Sequence, residues 1–149
     1  MSLFLTSAWV ILLDQITKTI VTRQIAPWDN IECLGGLLQI TNVHNPGAAF
    51  GILQNKQILS IVAAIVAAVL ILLFYPRIPR HRRSMRFGMA LALGGALGNL
   101  IDRVKYGSVI DFIDVGFWPV FNLADSAIVV GVALILLGMA RDPSVRRSN

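Results

Sequence analysis

The sequence predicts an all-α membrane protein of four transmembrane helices with a small extracytoplasmic β-element in the first outer loop. Three observations predict it. Hydrophobic residues make up 56% of the 149 residues and charged residues only 14%, with a mean hydropathy of +0.71, too apolar for a domain whose solvent is water. Four stretches, about 3–22, 57–75, 87–104 and 123–140, approach the roughly 20 apolar residues that cross a bilayer. The basic residues stand in short blocks beside these stretches, so the net charge of +5 reports membrane topology and not nucleic-acid binding.

The first stretch carries Asp14 and Lys18 and lacks a basic leader, so a retained helix is expected in place of a cleaved signal peptide. The loop that follows, about 23–56, is punctuated by Gly35-Gly36 and Asn45-Pro46-Gly47 around Leu37–Val43, the pattern of a short β-element. Arg77, Arg80, Arg82, Arg83 and Arg86 crowd the connection between the second and third stretches, and Arg141, Arg146 and Arg147 follow the fourth. The positive-inside rule makes both segments cytoplasmic. Both termini are then cytoplasmic, and the loops 23–56 and 105–122 face outward. Trp28 and Trp118 fall in these outer loops, where amphipathic rings favour the headgroup region. Residues 1–149 read as one polytopic domain without repeats. A single cysteine, Cys33, excludes an internal disulfide or a cysteine-rich metal site and reads as a packing residue.

Ionisable residues inside a span are costly unless paired within the bundle, which makes them functional candidates. Asp14 and Lys18 stand four apart, acid first, as an intrahelical pair does. Asn99, Asp102 and Arg103 are expected to share one face near the outer end of the third span, with Asp102 and Arg103 neutralising one another or bridging to neighbours. Asp111, in Val109-Ile110-Asp111-Phe112-Ile113-Asp114, is flanked by apolar side chains, which favours its protonated form. Asp125 follows in Phe121-Asn122-Leu123-Ala124-Asp125-Ser126. Read alone, it suits a helix start capped by Asn122 better than catalysis. Asp114, next to Gly116, reads as a solvated surface acid. With Pro119 between them to fold the loop back, Asp111 and Asp125 can meet over the mouth of the bundle. Two close carboxylates share one proton and support peptide hydrolysis by activated water, with no metal or other cofactor required.

Five segments in order, Asp14-Gln15-Ile16-Thr17-Lys18, Asn45-Pro46-Gly47-Ala48-Ala49-Phe50, Gly94 through Arg103, Val109-Ile110-Asp111-Phe112 and Phe121 through Ser126, resemble those of bacterial lipoprotein signal peptidase, also called signal peptidase II. The resemblance implies an aspartyl endopeptidase of the bacterial cytoplasmic membrane. Its substrates would be diacylglyceryl-modified prolipoproteins, cut on the amino side of the lipidated cysteine. It also implies that Asp111 and Asp125 form the catalytic dyad near the extracytoplasmic face. Asn45, Asn99, Arg103 and Asn122 would surround the substrate, and Asp14, Lys18 and Asp102 would support the site. Membrane lipids and globomycin-type inhibitors are implied as further partners, nucleic acid is not, and a monomer is expected.

Two other readings stand beside this one. Clustered Asp and Asn residues can hold magnesium in an enzyme acting on lipid head groups, a reading that loss of activity on chelation would favour. Buried acids can also line the path of a small transporter, although here the polar residues concentrate at one face.

Overall fold

The computed structural model describes residues 2–46 and 56–140. The Gly47-to-Phe50 part of the second motif, and Arg141, Arg146 and Arg147, lie outside the described residues. In chain order the elements are α1 (Leu3–Gln24), β1 (Asn30–Cys33), β2 (Leu38–Asn45), α2 (Lys56–Phe74), α3 (Arg83–Tyr106), β3 (Val109–Asp114) and α4 (Leu123–Ala140). Short 3-10 turns occupy Leu34–Gly36 and Tyr75–Arg77.

Each helix boundary has a local cause. Ser2 starts α1 by accepting the Leu5 N–H on its Oγ at 3.2 Å. Gly107 ends α3 in the left-handed conformation, with φ of 73°, and its N–H returns to the Arg103 carbonyl. Three helical segments, Leu3–Gln24, Gln57–Arg77 and Leu123–Ala140, are long and apolar enough to cross a membrane. Their outer faces leave Phe4, Trp9, Leu13, Ile58, Leu73, Val129 and Leu136 exposed, as suits a lipid solvent.

The stretch expected at 87–104 forms the longer helix α3, which does not reach that apolarity. It carries Arg83, Arg86, Asn99, Asp102, Arg103 and Lys105 within its 24 residues. The physical reason is its position. α3 packs on α1, α2 and α4 and so lies at the centre of the bundle. Small residues let its neighbours approach: a Cβ at Gly88 would lie 2.5 Å from the Gly131 carbonyl oxygen, and one at Gly131 would lie 2.6 Å from that of Gly88. Toward the start of α3 the core is built from Leu3, Ala68, Tyr75, Met89, Ala90 and Leu93.

The three strands form one antiparallel sheet in the order β1-β2-β3. The sequence pattern placed a β-element in the first outer loop alone. The structure adds β3 from the second, because β-branched Val109, Ile110 and Ile113 pair along the free edge of β2. The register of β2 slips between Ile40 and Val43. At this bulge Asn42 Nδ2 donates to the Ile25 carbonyl at 2.8 Å and Thr41 Oγ1 to that of Asp29 at 2.9 Å, tying the sheet to the chain leaving α1. Phe112 completes the joint by packing on Val21 and Ile25. Besides Trp28 and Trp118, the sheet end also exposes Leu34, Leu37 and Phe117.

Replacing Gly131 by Val forces a branched side chain into the α3–α4 contact. It is expected to cost about 1–3 kcal/mol by overpacking, seen as a lowered thermal midpoint of the detergent-solubilised protein. An unchanged midpoint would show that the two helices separate freely.

Candidate active site

Asp14, Gln15 and Lys18 on α1 face Gly98, Asn99 and Asp102 on α3. Lys18 Nζ lies 2.8 Å from Asp14 Oδ2 and 2.7 Å from Asp102 Oδ2, and it donates to Asn99 Oδ1 at 3.1 Å. All four side chains are buried. Gly98 makes room for the cluster, since a Cβ there would lie 2.9 Å from Asp14 Oδ2. Of the two arrangements open to Asp102, neutralising Arg103 or bridging to a neighbour, the structure takes the second, with Lys18 as the neighbour. Neighbouring helix positions point about 100° apart, and Lys18 engages Asp102 in the interior while Arg103 turns toward α2. Gln15, for which no role was expected, donates to Asp102 Oδ1 at 2.9 Å and more weakly to Asp14 Oδ2 at 3.3 Å. Its place in the same helix turn as Asp14 and Lys18 was the available signal.

The two carboxylates of this cluster also grip two other segments. Asp14 Oδ1 accepts the Ala124 N–H at 3.0 Å, and Asp102 Oδ2 accepts the Ile110 N–H at 3.3 Å. Each gripped residue immediately precedes an aspartate, Asp125 in one case and Asp111 in the other.

Asp111 projects from β3 and is buried. Its Oδ1 accepts Asn122 Nδ2 at 2.7 Å and its Oδ2 accepts Asn45 Nδ2 at 3.0 Å. Asn45 opposes Val109 across the sheet, a diagonal neighbour of Asp111. Burial pushes the Asp111 carboxyl up to about 6, and the nearby Asp125 charge pushes the same way. Hydrogen bonds from Asn45 and Asn122, with the Lys18 charge, oppose the rise.

Asp125 occupies the first turn of α4 in a reciprocal cap: its N–H donates to Asn122 Oδ1 at 2.8 Å, and its Oδ2 accepts the Asn122 N–H at 3.3 Å. The capping role read from the sequence is therefore real, yet it occupies only one oxygen. Asp125 Oδ1 accepts Asn99 Nδ2 at 2.7 Å. Asn122, fully buried, spans the two carboxylates, and its Nδ2 also reaches Asn99 Oδ1 at 3.1 Å. Because Lys18 is donor-only, Asn99 must turn its oxygen to Lys18 and its NH2 to Asp125. Asp114 stands apart, its Oδ1 accepting the Gly116 N–H in an outer turn.

Asp125, Asn99 and Arg103 form the polar end of a groove of about 470 Å³ between α2, α3 and α4. Ala64, Ala67 and Leu70 of α2, Ala92 and Ala96 of α3, and Ile128 of α4 give the rest of it an apolar wall.

The family described as Signal peptidase (SPase) II matches residues 6–141. The chain belongs to that family. As a signal peptidase II it is a membrane-associated hydrolase of the protease class, aspartic by family, which sets aside the phosphatase and transporter readings. The lipoprotein signal peptidase of Moorella thermoacetica is 44% identical over 135 residues, covering 91% of this chain and 90% of that one. The lipoprotein signal peptidase of Staphylococcus aureus is 35% identical, covering 97% and 91%. A bacterial membrane enzyme solved by the in meso method superposes with a TM-score of 0.88 at 35% identity, over 94% of this chain and 93% of that one.

Lys18→Met leaves Asp14 and Asp102 buried without their cation, and is expected to destabilise the protein by about 3–5 kcal/mol. Thermal unfolding of Lys18→Met/Asp102→Asn, which removes one of the two stranded charges, should recover part of the loss. A double variant no more stable than Lys18→Met would mean that packing, and not charge, is what Lys18 supplies.

Proposed function

We propose that the chain is a single-domain, four-span endopeptidase that removes the signal peptide from diacylglyceryl-modified prolipoproteins, cutting on the amino side of the lipidated cysteine. Asp111 and Asp125 are its catalytic pair. The observation that carries this reading is the bridging of two carboxylates through one buried asparagine, Asn122, with one of the two, Asp125, at the polar end of an apolar groove.

A signal peptide enters as an apolar helix, which suits the groove between α2, α3 and α4. Its lipidated cysteine stays at the outer interface, at the level of the sheet. Asp111 is the member that burial drives toward the protonated form, and half-buried Asp125, facing the groove, serves as the base. Asp125 takes a proton from water as the water oxygen attacks the scissile carbonyl. Asp111 hydrogen-bonds the carbonyl oxygen and gives its proton to the leaving amine as the C–N bond breaks. The pair ends with its proton on Asp125, and the return of that proton to Asp111 resets it. Asn45, Asn99 and Asn122 hold the two carboxylates in place, and Arg103 supplies positive charge to the peptide backbone or the developing oxyanion. α3 serves as the fourth span because its polar groups are met inside the bundle. The arginine-rich connection before it is cytoplasmic by the positive-inside rule, with both termini on that side and the aspartates near the extracytoplasmic face.

Cleavage of a lipidated prolipoprotein in bilayers tests the assignment. Asp111→Asn and Asp125→Asn are each expected to lower kcat/KM by roughly 10²–10⁴-fold, while Asp114→Asn stays at the wild-type rate. Turnover at the wild-type rate in either folded dyad variant would sink the mechanism.

The pH dependence follows from the sign of the Asp111 shift. The proton it must donate is lost as pH rises through its raised value, so kcat/KM should fall on the alkaline side, with a midpoint at or above about 6. A profile flat from this midpoint to strongly alkaline pH would remove Asp111 as the acid.

A further inference from the structure

At the opposite end of α3 from Asp111 and Asp125 lies a cavity of about 680 Å³, lined by Ser2, Thr6, Arg80, Arg83, Arg86 and Phe87 among others. A helical rise of 1.5 Å per residue puts Arg86 on the order of 25 Å from Asp102. A second recess of about 300 Å³ shares Ser2 and Arg86 with it and is walled by Leu3, Phe4, Leu72, Tyr75 and Pro76. A cationic chamber therefore adjoins an apolar one, with Arg86 at the partition.

Arg86 is held in that position. Its Nη1 donates to the Ile78 carbonyl at 2.8 Å and to that of Tyr75 at 3.3 Å, and its guanidinium lies 4.0 Å from the centre of the Tyr75 ring. Arg80 and Arg83 are exposed, and neither they nor Arg86 enter an ion pair among the described residues. The chain itself offers them little counter-charge: no acidic residue occurs before Asp14 or between Glu32 and Asp102, and beyond Asp125 there is only Asp142, outside the described residues. Three guanidinium groups around one cavity repel one another unless an anion joins them. Guanidinium donors match phosphate oxygens in geometry as well as charge.

We propose that these paired cavities bind an anionic phospholipid, its phosphodiester head group among Arg80, Arg83 and Arg86 and the start of an acyl chain along Leu72, Phe4 and Tyr75. The apolar recess distinguishes a lipid from free phosphate, since inorganic phosphate has no use for it. The site rests on the reading of the chain as membrane-embedded with its arginine-rich end at a lipid surface, and not on the roles of Asp111 and Asp125.

Native mass spectrometry of the delipidated, full-length protein in detergent tests the site, with dioleoylphosphatidylglycerol, dioleoylphosphatidylcholine and inorganic phosphate as probes. Phosphatidylglycerol should bind roughly tenfold or more tightly than phosphatidylcholine. The double variant Arg80→Gln/Arg83→Gln should lose this preference, while Arg77→Gln keeps it, because that guanidinium lies over the Phe74 ring and outside both cavities. Equal binding of the two lipids by the wild type overturns the proposal, as does a preference that survives in the double variant. Displacement of phosphatidylglycerol by an equal concentration of inorganic phosphate would overturn the lipid as occupant. Prolipoprotein cleavage by the double variant should stay at the wild-type rate, so loss of the lipid preference and loss of peptidase activity are read separately.

Discussion

One buried cation organises the sheet-bearing end of this protein. Lys18 satisfies Asp14 and Asp102 directly. Those two carboxylates in turn hold the first residues of β3 and α4 by backbone N–H groups. Asn99, which Lys18 also holds, adds a second tie to the start of α4 through Asp125 and Asn122. The positions of Asp111 and Asp125 are thus set from behind, by an ion cluster that touches neither carboxylate. Desolvating three charges is expensive, and such clusters are weak sources of net stability. What this one supplies is placement, because its donors and acceptors admit a single orientation of the Asn99 amide and, through it, of the Asn122 amide.

α3 shows how a helix less apolar than its neighbours can still occupy the middle of the bundle. Its polar residues face partners, and its glycines let α1 and α4 close over it. Helices α1, α2 and α4 present their apolar faces outward. The two ends of α3 then differ in kind, one meeting acids and asparagines in a closed network, the other bearing Arg83 and Arg86, which enter no ion pair among the described residues.

Much of this was legible in the sequence, for physical reasons that differ from residue to residue. Long apolar runs gave α1, α2 and α4 to within a few residues, because a bilayer imposes a length. The Asp14–Lys18 pair was legible from its spacing within one helix. Asp102 and Arg103 were open between pairing with one another and bridging to neighbours, because adjacency in sequence says nothing about which of them lies inside the bundle; Asp102 bridges to Lys18. The edge of β2 that accepts β3 is a tertiary fact, invisible in either loop alone. Asn122 and Asp125 posed a different difficulty. Capping and membership of the polar site were weighed as rivals, whereas a carboxylate has two oxygens and here each serves one of them.

That shared use of Asp125 couples proton movement to helix mechanics. A carboxylate is a stronger acceptor than a carboxylic acid, so a proton arriving on Asp125 weakens its hold on the Asn122 N–H. Asn122 is also the residue that steadies Asp111. Loosening the cap at one end of α4 therefore slackens the Asn122 hold on Asp111 as well.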